Sequence, residues 1–209
     1  MTVDPARFEA AVAGAADILD SPHQVYDDAL FVRYTARIIE LMGGAGPELE
    51  RVAREIYDDW AEHSHFELYP DVRETLRELK AMGFRLGLIS NSHRPLEIFD
   101  AYFDLNGLIS VRVSSSAHGY LKPHPSIFRS ALELMQVAPD AAVMVGDSLG
   151  HDVIGARGVG MHSILLARSG APAVPPAHDV PVITSLVELP AMLEHKSEPR
   201  GFSPGDRKR

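Results

Sequence analysis

Cysteine is absent from this chain of 209 residues, and with it go disulfides, thiol nucleophiles and thiolate zinc sites. Long apolar runs are also missing: no stretch reaches the roughly 18 residues that a membrane-crossing helix requires. Basic side chains are in deficit, 20 against 29 acidic, and the resulting formal charge of −9 argues against a nonspecific nucleic-acid surface. The opening MTVDPARF has neither the basic nor the apolar region of a secretory signal, so a cytoplasmic location is expected and no membrane association. What is present suffices for a full core, since 45% of the residues are hydrophobic, and the length suits one large domain or a core with a small insertion.

The chain is organised around residues 141–152, AAVMVGDSLGHD. Val143, Met144 and Val145 form the short unbroken apolar run of an inner strand in a parallel sheet, and Gly146 lets the backbone turn where that strand stops. Ligands of open α/β sheets bind just beyond the carboxyl ends of the strands, which places Asp147 at a ligand or metal position with Asp152 close behind. Two neighbouring carboxylates repel unless a cation offsets them, and Lys122 in GYLKPHP or a hard divalent ion would do so. Capping and turn formation are the competing uses of the same aspartates.

Taken in order, Asp4-Pro5 suits the cap and first position of a helix through ARFEAAVAGAADILD, with a weak strand over residues 8–13 as the alternative. Residues 24–42 read as a helix, and Pro47 opens a second with Leu49, Val52, Ile56 and Trp60 on its apolar face. His63 and His65 mark a hinge, and Trp60 and Tyr69 read as packing residues. Helices are then expected over 71–82, 95–102, 125–135, 153–158 and 186–193. Strands are expected over 84–89, 108–114, 143–145, 162–166 and 182–183. This alternation predicts an α/β fold, a doubly wound, mostly parallel, Rossmann-like sheet with a small helical insertion near the N-terminus. Residues 171–179, with three prolines, read as a loop, and 197–209 as a disordered tail.

Three strand ends thus offer Ser90 with Asn91, then Lys122, then Asp147 with Asp152: a hydroxyl, an amide, an ammonium and an acidic metal site, the inventory that grips a phosphoryl group and its divalent ion. With LISNS, YLKPHPSIF and MVGDSLGHDVIGARGVGM in that order, the chain resembles the haloacid dehalogenase-like hydrolase superfamily, in its phosphatase-like branch. The resemblance implies that Ser90 and Asn91 bind phosphate and that Lys122 neutralises charge and orients the nucleophile. It further implies that Asp147 binds Mg²⁺ and that Asp152 partners it and steadies the lysine. It also implies a helical cap over residues 22–68, a core over 69–196, and hydrolysis of a small phosphorylated metabolite through an aspartyl phosphate.

The family's first motif, a central strand ending in an aspartate nucleophile with a second aspartate two residues on, overlays FEAAVAGAADILDSP without a gap. Gly14 then takes the nucleophile position and Ala16 that of the second acid, with Asp17 and Asp20 as displaced substitutes. Residues 1–21 are accordingly expected to be a degenerate first strand, or a helix with that strand missing. Glycine presents no carboxylate, so turnover is expected to be impaired. A catalytically inactive, phosphometabolite-binding or regulatory protein is the alternative from another class, and a 2-haloacid dehalogenase a third reading. Arg33, Arg37, Tyr26 and Tyr34 on the first insertion helix, and His93 and Arg94 after the Ser90 strand, are further candidates for the pocket's edge. The GLISV stretch leaves a homo-oligomer open.

Overall fold

The structure is a computed structural model that describes residues 1–19, 25–60, 62–93, 96–105, 107–168 and 179–197. Asp20, Arg94, most of the proline-rich 171–179 segment and the 198–209 tail lie outside the described residues.

Residues 5–19 are helical throughout. Asp4 accepts a hydrogen bond from the Ala6 amide and caps a 3₁₀ turn, Pro5–Arg7, with Pro5 in the first position. The turn continues into α1 (Phe8–Ala15) and a second 3₁₀ turn, Ala16–Leu19. The alanines that would leave a central strand hollow let α1 approach α2 (Asp28–Leu41) closely: Ala11 and Ala15 are buried beside Ile38, with Tyr34 and Leu41 around them. Gly14 is therefore a helix residue, its missing Cβ 3.1 Å from Leu41 Cδ1, and it stands at no strand end. Laying the first motif over residues 8–19 fails on that ground, and so does reading Gly14 and Ala16 as nucleophile and second-acid positions.

Helix α2 starts at an Asp27 cap and packs against α3 (Leu49–Asp59). The face that α3 buries differs from the expected one: Ala53 and Tyr57 are buried, one and two helical turns on from Leu49, whereas Ile56 and Trp60 are exposed. Strict i, i+4 spacing from Leu49 wins because Val32 and Ile39 of α2 form the other half of that cluster. Residues 25 and 26 are not helical; Val25 instead makes an isolated antiparallel bridge to Tyr120.

From residue 72 the helix–strand alternation runs as expected, with boundaries shifted by at most two residues except at the helices expected over 153–158 and 186–193, of which the first opens four residues early as a π-helical turn and the second ends four residues late. The order is α4 (Val72–Ala81), β1 (Leu86–Ser90), α5 (Leu96–Tyr102), β2 (Ile109–Ser114), the short α6 (Ser115–His118), α7 (Pro125–Met135) and β3 (Val143–Gly146). A π-helical stretch, Leu149–Ile154, then leads into α8 (Gly155–Arg157), followed by β4 (His162–Leu166), β5 (Val182–Ile183) and α9 (Leu189–Ser197). All strand pairs are parallel. One helical layer, α7 with α8, covers Ile89, Val111, Val113 and Met144. The other, α4 with α9, covers Leu86, Val143, Val145, Ile164 and Ile183. No helix among the described residues is long and apolar enough to cross a membrane.

The sheet departs from expectation in one respect. Its strands form two separate sheets, β1-β2 and β3-β4-β5, and no ladder joins β1 to β3. Strand β3, expected as an inner strand, pairs on one side only, with β4. Consistently, no residue of β1 or β3 is fully buried, whereas Ser163, Ile164 and Leu165 of β4 all are.

Candidate functional site

Lys122 ties the two sheets together at their carboxyl ends. Its ammonium donates to the Ile89 carbonyl at 3.1 Å, on β1, and to Asp152 Oδ1 at 2.6 Å, beyond β3. Its own backbone is clamped by Asn91, whose amide nitrogen donates to the Lys122 carbonyl and whose amide oxygen accepts from the Lys122 N–H at 2.7 Å. The Lys122 and Asp152 side chains are only 12% and 4% exposed, so the pair is held in low dielectric and fixed by hydrogen bonds on both sides. Asp152 Oδ2 accepts from the Ser148 amide. The carboxylate lies so close over Gly146 that a Cβ there would sit 2.3 Å from it, which is why the β3 strand ends in glycine.

A pocket of about 370 Å³ opens above this pair. Ser90, Asn91, Ser92 and His93 line it from the end of β1, Lys122 from the loop before α7, and Asp147, Ser148, His151 and Asp152 from the end of β3. Leu19, Phe31, Tyr34, Thr35, Tyr57 and Trp60 of the N-terminal helices form its remaining wall. The structure thus gathers Ser90, Asn91, Lys122, Asp147 and Asp152 at one pocket, whereas Gly14, Ala16 and Asp17 do not line it. Arg33 and Arg37 point away from it, both exposed, and Arg37 pairs with Glu40. Trp60, expected to be a packing residue, is 39% exposed and lines the pocket, as does His151. Neither carries a sequence signal beyond its helical phase. His118 and His124 do bond locally, both to Ser126.

The helical wall is fastened by one carboxylate. Tyr26 and Tyr57 both donate to Asp28 Oδ1, at 2.5 and 2.7 Å, and their hydroxyls lie 3.1 Å apart. These bonds, the one from Tyr26 foremost, hold the Asp28 carboxyl below its usual range. Burial foremost, and then the bond to Asp28, push the Tyr57 hydroxyl up to about 12, against the Tyr26 hydrogen bond, which lowers it. The His93 ring, from the end of β1, lies 4.2 Å from the Tyr57 ring and joins this wall to the core.

Among the described residues no group of three or more acidic or histidine side chains surrounds a common point. A magnesium ion does not require one, because it retains waters and is commonly held by one or two carboxylates plus substrate phosphate. Asp147 is exposed at the pocket and suits that use. Asp152 already serves Lys122 and the Ser148 amide, so its part toward a cation is to support the site.

Comparison with known proteins bears on this geometry. The sequence pattern of the haloacid dehalogenase-like hydrolases matches residues 6–160. The haloacid dehalogenase-like hydrolase domain-containing protein 3 of Bos taurus is 35% identical over 152 residues, 70% of this chain and 61% of that protein, so the chain spans about three fifths of that relative's length. A phosphoserine phosphatase of Thermus thermophilus is 32% identical over 169 residues, 72% of this chain and 67% of that protein. Among solved structures, a phosphatase of the same superfamily from Thermococcus onnurineus superposes with a TM-score of 0.61 at 25% identity, covering 88% of this chain and 78% of its own. A sequence match over most of the chain and a shared α/β fold agree: the chain belongs to the haloacid dehalogenase-like hydrolase family.

Proposed function

We propose that this pocket binds the phosphate group of a small phosphorylated metabolite, with Mg²⁺, and that the ancestral reaction is hydrolysis of the phosphate monoester. The observation that carries the reading is the convergence of the Ser90 hydroxyl, the Asn91 amide, the Lys122 ammonium and the Asp147 carboxylate on one cavity at the ends of parallel strands. Ser90 and the neighbouring backbone would hold the phosphoryl oxygens, and Lys122 would offset their charge. A cation at Asp147 would supply electrostatic stabilisation of the same oxygens. The helical wall of α2 and α3, acting as a cap, would shield the site and read the rest of the substrate through Tyr34, Tyr57 and Trp60.

Attack on phosphorus needs a free nucleophile, and the two carboxylates lining the pocket are otherwise used: Asp152 by Lys122 and the Ser148 amide, Asp147 for the cation. Among the described residues the site is therefore built for binding, with slow turnover of its own. Titration with inorganic phosphate in the presence of Mg²⁺ tests this. Saturable binding that weakens at least about tenfold in Ser90→Ala and Lys122→Met is expected, since each lost charge-assisted contact is worth roughly 1.5–3 kcal/mol. Absence of binding overturns the reading. Rapid phosphate release from p-nitrophenyl phosphate that vanishes in Asp17→Asn overturns the slow-turnover part alone.

A further inference from the structure

The helical side of the pocket is built from side chains of a different kind from those at the strand ends. Phe31, Tyr34, Tyr57 and Trp60, with Leu19 and Thr35, form it, and none of the six is a charged residue type. Two of its three hydroxyls are engaged within the helices. That of Thr35 donates to the Phe31 carbonyl at 2.9 Å, and that of Tyr57 donates to Asp28. The rings are also set in place: the Tyr57 ring has Phe31 at 6.1 Å and His93 at 4.2 Å between centroids. Trp60, the residue that ends α3, is the most exposed of the four rings. Positive charge is kept off this wall. Among the described residues the lining includes one lysine, Lys122, which Asp152 already offsets, and no arginine. Arg54 lies over the Tyr57 ring, 5.5 Å from its centroid, outside the lining, and His93 and His151 stand with the strand-end groups.

We propose that the site, resting on the phosphate reading above, selects monoesters whose alcohol is a single uncharged aromatic ring, and that Trp60 is the residue that sets this preference. A cavity of about 370 Å³ is at the small end of ligand pockets, which run from roughly 300 to 1,000 Å³, so a phosphate and one ring system fill it. A second anionic group, as on a phosphorylated hydroxy acid or amino acid, would leave water for a wall without a counter-charge. A sugar alcohol would bring several hydroxyls to a wall whose own are mostly engaged, and each would lose a water without gaining a partner. A flat ring has neither cost. It also gains over an aliphatic group of equal size, because ring faces and edges of opposite partial charge pair in offset or edge-on arrangements.

The test uses the full chain and three phosphonates that share a head group and resist hydrolysis: phenylphosphonate, cyclohexylphosphonate and phosphonoacetate. Each is titrated by calorimetry in the presence of Mg²⁺, with inorganic phosphate alongside. Trp60 is the one tryptophan of the chain, so its fluorescence reports on the wall itself. Phenylphosphonate should bind about three- to tenfold more tightly than cyclohexylphosphonate and change the Trp60 emission. It should bind at least about tenfold more tightly than phosphonoacetate, whose carboxylate meets no cation on the wall. In Trp60→Leu the phenyl-to-cyclohexyl ratio should fall to about one, whereas Trp60→Phe, which keeps a ring, should retain most of it. Equal affinity for the phenyl and cyclohexyl compounds, tighter binding of phosphonoacetate, an unchanged Trp60 emission, or a ratio that survives Trp60→Leu overturns the proposal. If inorganic phosphate binds while the tails are not distinguished, the aromatic preference alone falls. If neither phosphate nor any phosphonate binds, the phosphate reading falls and this inference with it.

Discussion

At the scale of single residues, Gly14 and Lys122 show what a sequence can and cannot reveal. Gly14 falls on a nucleophile position only if residues 8–19 are extended, but alanine-rich local propensity points to a helix, and the helix forms. The conflict was visible in the sequence; the neighbour that resolves it, Leu41, was not. Restoring an acid at this position should therefore restore nothing: Gly14→Asp is expected to release no more phosphate from p-nitrophenyl phosphate than the parent. Gly14→Ala should stabilise the chain by up to about 1 kcal/mol in urea unfolding, because the Cβ meets only the mobile end of Leu41 and the helix gains propensity. The polar residues Ser90, Asn91 and Asp147 are legible because strand ends announce themselves by an apolar run that stops, and Lys122 by the YLKPHPSIF pattern that leads into α7. Trp60 and His151 were not, since exposure of a side chain toward a cavity depends on what packs opposite. The Lys122–Asp152 pair, buried and doubly anchored, makes a separate prediction. Asp152→Asn strands an ammonium away from water and should cost about 3–5 kcal/mol in urea unfolding, whereas the double variant with Lys122→Met should lose markedly less than Asp152→Asn alone.

At the scale of elements, the helices and strands with strong periodicity were legible almost to the residue: α7 and β4 begin and end where proline, glycine and the apolar pattern place them. The face of α3 was misassigned because Ile56 and Trp60 are more hydrophobic than Ala53, and composition outweighed strict spacing. The interruption of the sheet was illegible, since an apolar run such as Val143–Val145 reads the same whether one or both of its edges are paired. Packing between α7 and α8 offers a sharp test of how tightly the layers fit. Gly155 lies against Phe128 and Pro123, and an added Cβ would sit 2.7 Å from Phe128 Cε2 and 2.9 Å from Pro123 Cβ. Phe128 is fully buried and has no room to yield. Gly155→Ala should lower stability by about 1–3 kcal/mol despite the helix propensity of alanine. An unchanged or raised midpoint in urea would show that this helical layer is loosely packed.

At the scale of the whole molecule, one carboxylate joins three parts of the chain that lie far apart in sequence. Arg168, just past β4, donates two parallel hydrogen bonds to Asp71 at 2.9 and 3.0 Å, and Ser185 Oγ and the Leu186 amide donate to the same group at 2.6 and 2.8 Å. The Arg168 guanidinium also lies over the Tyr69 ring, 4.0 Å from its centroid. Asp71 thereby fixes the start of α4 against the exit of β4 and the turn that opens α9, the helices that cover one face of both sheets. Arg168 foremost, then Ser185 and the Leu186 amide, lower the carboxyl from 3.8 to about 2. A depressed folded-state pKa contributes stability that is fully present above the unfolded value and is lost as pH falls through the folded one. The Asp71 side chain is only 12% exposed, so the shift converts to about 2 kcal/mol at neutral pH. Asp71→Asn should therefore be less stable than the parent by about that amount in urea unfolding at pH 7. The gap should narrow as pH falls from about 4 toward 2, because only the parent loses a charge there. Unfolding curves for both proteins, taken down to the lowest pH at which the parent still folds, check this. A gap that stays constant over that range would mean that Asp71 acts through the shape of its hydrogen bonds and not through its charge.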